Sequence, residues 1–322
     1  MRWGIVGCGW VARDYFAPAV REVRGHALTA LCDPSAEAVA AIDPALPRVT
    51  EIGALSDLCD AVYVATPNHL HAAQCEAAAA AGLGILCEKP MATSAADCAR
   101  IVRAVERAGV PYATAYDQRH HPAHVALREA VAAGALGRVS QVLIRYACWV
   151  DAGWAPDNWR LDAARAGGGA AIDLAPHGLD LAAHLLGERP VAVQAMLGRR
   201  QGVVDEGGLV TAAFPSGALA SISVGYDCPE AFPRRRLEVI GDRAMARAED
   251  TMGQTPGGRA TLIDAAGEAR DLPFDAARSP FLGQVEAFAQ AGPDAASHDA
   301  ALTAMLLEAL AAATPEERRH AS

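Results

Sequence analysis

Short apolar runs alternate with helical patterns through the first third of this chain. Residues 3–6 are apolar, a glycine-rich turn follows, and a helix is expected to about residue 23. Further buried strands are expected at 27–32, 61–65, 85–87 and 112–115, with one helix ending near residue 81 and another over 94–108. Short apolar runs bounded by turn residues read as strands covered on both faces, and their alternation with helices specifies a parallel, doubly wound α/β sheet. Residues 1–117 are assigned to that domain.

From Gln118 the periodicity changes. His121 and Pro122 read as the start of a helix to about residue 133, followed by a strand over 138–150. Gly167-Gly168-Gly169 precedes a helix over 170–186. Period-two alternation then predicts strands at 191–197, 208–214, 219–225 and 237–240, with Pro215-Ser216-Gly217 as a turn. Helices near 280–291 and 299–313 close the chain. Residues 118–322 are therefore expected to form an α+β domain with an open, mostly antiparallel sheet. Helices on one face only leave the other to be covered, which predicts a homodimer or homotetramer through that sheet.

Composition narrows the function classes. A chain of 322 residues exceeds what one core usually organises, which agrees with two domains. Its net charge of -10 disfavours nucleic acid as a partner, and the one dense basic run, Arg234-Arg235-Arg236, alternates between the faces of an expected strand. No apolar run is long enough to span a bilayer, and the first strand begins at Arg2 or Trp3, so no leader or membrane partner is expected and the location is expected to be cytoplasmic. The eight cysteines form no CxxC pair and read as buried thiols. No metal is expected at His120, His121 and His124, which have no carboxylate or cysteine at ligand spacing.

The candidate chemistry clusters at strand ends. Gly7-Cys8-Gly9-Trp10-Val11-Ala12 lies between a strand and a helix, where Gly7 permits a tight turn, Gly9 admits a pyrophosphate and Ala12 allows close packing. Asp33 ends the second strand, either as the acceptor for an adenosine ribose hydroxyl or as a helix cap. No arginine follows it immediately, which favours NAD over NADP. Thr66-Pro67-Asn68-His69-Leu70-His71 and Glu88-Lys89-Pro90 end the third and fourth expected strands. Lys89 is the single lysine among 28 lysines and arginines. An ammonium can donate and relay protons as a fixed guanidinium cannot, so Lys89 is a candidate proton donor; the plainer alternative is a surviving strand-end lysine.

Two further groups lie in the second half. Trp149, Trp154 and Trp159, with Arg160, form an aromatic loop suited to the C–H face and hydroxyls of a sugar or cyclitol, or else to closing a core. Asp173 and His177 are one helical turn apart, so the carboxylate can orient the imidazole for acid–base work; a structural pair is the alternative. The triple glycine allows another segment or a ligand to approach closely.

The order GxGxxA (Gly7–Ala12), TPNxxH (Thr66–His71), EKP (Glu88–Pro90), WR then GGG (Trp159–Gly169) and DxxxHxxD (Asp173–Asp180) resembles the glucose-fructose oxidoreductase, inositol dehydrogenase and MocA family over nearly the whole chain. The resemblance implies a Rossmann domain, an oligomerising α+β domain and a bound nicotinamide dinucleotide. It implies Lys89, Asp173 and His177 as the catalytic group, and allows for a cis Lys89–Pro90 peptide. The cofactor set is Gly7, Gly9, Trp10, Val11, Ala12, Asp33, Thr66, Pro67, Asn68, His71, Glu88, Lys89 and Pro90; the substrate set is Trp149, Trp154, Trp159, Arg160, Asp173 and His177. Two departures stand out: Gly82-Leu83-Gly84 replaces the family's Gly-Lys-His, and Pro176 lies between Asp173 and His177. The expected activity is NAD-dependent interconversion of a secondary alcohol and a ketone on a sugar, sugar derivative or cyclitol. An NAD-dependent glycosidase and a non-catalytic dinucleotide sensor are the alternatives.

Overall fold

The computed structural model describes residues 1–150, 158–198 and 204–313. In the N-terminal unit, β1 (Arg2–Val6), β2 (Ala27–Cys32), β3 (Arg48–Val49), β4 (Ala61–Val64), β5 (Gly84–Cys87) and β6 (Tyr112–Thr114) form one sheet in the order β3-β2-β1-β4-β5-β6. Every pairing is parallel. Strand order reverses beside β1, so the carboxyl ends of β1 and β4 flank the crevice where doubly wound sheets bind ligands. The helix after β1 is π-helical over Ala12–Phe16 and continues as α1 (Ala17–Glu22). Pro18 has no N–H to return to the Asp14 carbonyl, which accounts for the wider turn there. The crossovers α2 (Ala36–Ile42), α3 (His71–Ala80) and α4 (Ala95–Ala108) complete the layers. Ser94 caps α4 by accepting from the Asp97 N–H, and Gly109 ends it at φ +65°.

The second unit is built on an eight-stranded sheet. Its strands are β7 (Val139–Ala147), β8 (Ala192–Gly198), β9 (Gly207–Ala213), β10 (Leu219–Gly225), β11 (Arg235–Gly241), β12 (Ala244–Glu249), β13 (Arg259–Asp264) and β14 (Ala269–Asp271), in the order β14-β13-β12-β11-β7-β10-β9-β8. Only β7 and β10 pair in parallel. The period-two reading missed β12 to β14; in β12 the alternating alanines of Ala-Met-Ala-Arg-Ala-Glu have low β propensity, and β14 is three exposed residues. The helices are α5 (Pro122–Ala132), capped by His121, the single turn α6 (Ala163–Ala166) and α7 (Ala170–Leu186). Helix α7 continues through Pro176 and is buried on nearly every side. It lies close on β10 because Gly178 has no Cβ; one there would come 2.6 Å from Ile222 Cγ2. On the opposite sheet face Met196, Leu219 and Leu209 are exposed at 71%, 55% and 39%.

The chain does not divide once at 117/118. The first compact unit comprises 1–120 and 279–303, and the second 121–278 and 304–322. The return is made by α8 (Pro280–Phe288) and the start of α9 (Ala295–Ala312). Phe281, Leu282, Val285 and Phe288 join Trp3, Phe16 and Tyr63 in the N-terminal core, with Phe288 and Trp3 rings 4.9 Å apart. Asp299 on α9 accepts the Thr114 N–H of β6 at 2.9 Å. Burial of those apolar side chains is what fixes the return.

Candidate active site

The N-terminal unit gathers its candidate residues on one sheet edge. Gly7 sits at φ +91° beyond β1 and donates its N–H to the Cys32 carbonyl at 3.0 Å. A Cβ on Gly7 would come 2.6 Å from Thr66 Cγ2 and 2.8 Å from the Ala65 carbonyl oxygen, so this glycine is required by the protein itself. Gly9 differs. A Cβ there would meet no protein atom within 4 Å, which leaves an open cradle above the turn. Ala12 is fully buried and Val11 half-buried, while Trp10 is exposed at 37% with its ring edge-on to Tyr15. Asp33 Oδ2 accepts the Cys8 N–H and Oδ1 the Ser35 N–H, both at 2.8 Å. Asp33 therefore ties the end of β2 to the glycine turn, and the cap of α2 is Ser35. The free space at Gly9 beside an aligned carboxylate fits a dinucleotide.

His71 joins the two neighbouring loops. Its Nδ1 lies 3.0 Å from the Pro90 carbonyl oxygen and its Nε2 3.0 Å from that of Thr66. Thr66 Oγ1 donates to Gln74 Oε1, Asn68 is buried, and Pro67 lies beside them half-buried. The Tyr63 hydroxyl donates to Glu88 Oε1 in a short hydrogen bond, and burial together with the Glu88 charge raises the phenol well above its usual range. Lys89 is half-buried at the end of β5, and its peptide bond to Pro90 is cis.

Burial lowers the His71 pKa from 6.5 and the nearby Lys89 charge lowers it further, against the raising effect of the carbonyl contacts. The folded state then binds fewer protons at this ring than the unfolded state. Its contribution is present above 6.5 and is lost as pH falls below that value. His120, held down to about 4 by burial and Arg119, acts in the same direction. The urea midpoint is expected to fall between about pH 7.5 and 5, and to fall less in His71→Gln. An equal fall in both would remove His71 as the cause.

In the second unit the Tyr226 hydroxyl donates to Asp173 Oδ2 at 2.7 Å. Burial and the Asp173 charge push this phenol well above 10. His177 is buried one turn along α7, with the Tyr146 ring edge-on at 5.6 Å. Asp180, on the same stripe, is fully buried. Trp159 carries the Arg160 guanidinium over its ring at 4.6 Å. Trp149 is 48% exposed and pairs with Asp227 through an isolated bridge. Trp154 lies outside the described residues. The triple glycine admits another chain segment: Asp205 accepts the Gly169 N–H at 2.9 Å and the Ala171 N–H at 2.7 Å through its carboxylate. A Cβ on Gly169 would lie 2.0 Å from the Asp205 carbonyl oxygen. Among the described residues no group of three or more His, Cys, Asp and Glu side chains could hold a metal. His121 Nδ1 accepts from the Ala123 N–H, and His124 Nε2 lies 2.8 Å from Thr251 Oγ1.

The profile of the oxidoreductase family with an NAD-binding Rossmann fold matches residues 1–116, and that of the GFO/IDH/MocA C-terminal domain matches residues 124–247. The chain belongs to the GFO/IDH/MocA family of oxidoreductases. It is 33% identical over 285 residues to the 1,5-anhydro-D-fructose reductase of Ensifer adhaerens, covering 86% of this chain and 84% of that protein. It is also 29% identical over 296 residues to a D-xylose 1-dehydrogenase (NADP(+)) of Haloferax volcanii, covering 90% and 89%. Among solved structures it resembles the aldose-aldose oxidoreductase from Caulobacter crescentus complexed with glycerol, with a TM-score of 0.84, 26% identity and 98% of each chain covered. Within this GFO/IDH/MocA chain the sequence reading missed Tyr146, Tyr226 and Asp205. Each acts on a residue far away in the chain, and only the strand register brings it there. The one local signal was the alternation of β7 and β10, which places Tyr146 on the face that packs against α7.

Proposed function

We propose that this protein is an NAD(P)-dependent oxidoreductase that interconverts a secondary alcohol and a ketone on a sugar, sugar derivative or cyclitol. The observation that carries this reading is the place of Lys89, the single lysine of the chain, at the carboxyl end of β5 on the sheet edge that also holds the Gly7–Gly9 turn and Asp33. The dinucleotide, when bound, supplies the hydride chemistry. His177 takes the proton of the reacting hydroxyl. Lys89 hydrogen-bonds the same oxygen, stabilises the negative charge that develops on it and helps the proton leave. Asp173, fixed by Tyr226, orients His177 or holds a neighbouring hydroxyl. Gly7, Gly9, Trp10, Val11, Ala12, Asp33, Thr66, Pro67, Asn68, His71, Glu88, Lys89 and Pro90 contribute the cofactor pocket. Trp149, Trp154, Trp159 and Arg160 contribute to the polyol pocket.

The eight cysteines are buried or half-buried and unbridged, which supports a reducing, cytoplasmic setting. No helix among the described residues is long and apolar enough to cross a membrane. The exposed leucines and methionine of the sheet's open face support a homodimer or homotetramer joined there. Thermal-shift titration with NAD, NADP and their reduced forms, followed by NAD(P)H production on a panel of sugars and cyclitols, tests the function. Stabilisation with turnover on a polyol is expected. Binding with release of free sugar and no reduced cofactor would replace the dehydrogenase by a glycosidase, and binding without any reaction would leave a sensor.

A further inference from the structure

The sequence around Asp33 favours NAD because no arginine follows it. The fold supplies one from elsewhere. Arg48, fifteen residues on and in β3, reaches back to the end of β2: its Nε donates to the Asp33 carbonyl at 3.2 Å and its Nη2 to the Pro34 carbonyl at 2.5 Å. Parallel pairing of Leu31 with Arg48 and Cys32 with Val49 sets this position, because it brings β3 alongside the end of β2. Both acceptors are neutral, so the guanidinium retains its full charge. It has five N–H donors, these bonds use two of them, and the residue is exposed. The Asp33 carboxylate is bonded elsewhere, to the N–H groups of Cys8 and Ser35. The Ser35 hydroxyl, which accepts the Ala38 N–H, keeps its own proton to donate. Thus one short loop, 33–35, carries a carboxylate bonded to the glycine turn, a hydroxyl, and two carbonyls that hold the Arg48 guanidinium. Glu37, Asp43 and Glu51 are the neighbouring acids along the chain; Asp43 pairs with Arg21 at 2.9 Å, and none of the three is bonded to Arg48.

We propose that Arg48 is a cofactor-specificity residue: it is the counter-ion for the 2'-phosphate of NADP, so that the pocket takes NADP as well as NAD. This rests on the dinucleotide reading of the site. A carboxylate accepts a ribose hydroxyl and repels a phosphate, whereas an unneutralised guanidinium beside it pairs with phosphate through charge-assisted bonds. Since Arg48 is exposed, its effect on phosphate weakens as salt rises.

The test is titration of the purified protein with NADH and NADPH, followed by cofactor fluorescence and, for the oxidised forms, calorimetry. The parent is expected to bind both within about tenfold of each other. Arg48→Ala should lose about tenfold or more in NADPH affinity, with NADH affinity unchanged. Arg48→Lys keeps the charge and should recover part of the loss. NADH binding also serves as the folding control for both variants. An Arg48→Ala protein with the parental NADH/NADPH ratio would overturn the assignment, and so would a parent that binds NADH but not NADPH. A parent that binds neither would remove the dinucleotide reading itself, and Arg48's role with it.

Discussion

Lys89→Arg should keep the positive charge at the end of β5 and lose at least about a hundredfold in turnover. Lys89 is half-buried, and its chain neighbours are fixed: the Glu88 carboxylate is engaged by Tyr63, and the carbonyl of buried Pro90 is held by His71. A guanidinium is wider than an ammonium, carries its donors in a plane and does not give up a proton near neutral pH. It can supply charge to a developing alkoxide without supplying the proton movement. The loss should therefore appear in kcat and in kcat/KM alike, and the pH profile of the residual activity should lose one limb. Turnover within about threefold of the parent would remove Lys89 from the catalytic group.

The second large effect separates two glycines of one turn. Gly7→Ala places a Cβ within 2.6 Å of Thr66 Cγ2 and 2.8 Å of a backbone oxygen, at φ +91°. Left-handed strain of about 1–2 kcal/mol and overpacking of about 1–3 kcal/mol should add, lowering the thermal midpoint by several degrees. Gly9→Ala meets no protein atom and Gly9 is not among the glycines with positive φ. Its stability should stay within about 0.5 kcal/mol of the parent. Dinucleotide affinity should nonetheless fall about tenfold, because the methyl occupies the cradle. Calorimetric melting and NADH titration of both variants read the contrast directly. A Gly9→Ala protein with parental affinity would show that the turn does not receive the pyrophosphate.

Much of the candidate site was legible in the sequence because its parts are local. A glycine turn between an apolar run and a helix must lie at a strand's carboxyl end, and so must residues that follow such a run at once. Asp33, Thr66 and Lys89 were placed in this way. Asp173 and His177 were placed by helical spacing. The triple glycine was legible as a close approach, but its partner was not: Asp205 arrives from 36 residues downstream of Gly169. The same holds for Tyr226, 53 residues from Asp173. Strand β12 was missed because alanine fills its buried positions, and β14 because all three of its residues are exposed, so no apolar run of the usual kind announces either.

The sequence by itself determined the two kinds of sheet, the order of the strand-end motifs and the singular position of Lys89, since each follows from the period of apolar residues and from which side chains flank a turn. Only the tertiary structure decided that α8 returns to the N-terminal core, that Tyr226 holds Asp173, and that Arg48 supplies at Asp33 the cation that the following residues lack. Those pairings join positions far apart in the chain, and periodicity records which face of an element is buried but not what buries it. The partner is selected by strand register and by the close packing of whole layers, which exist only once the chain has folded.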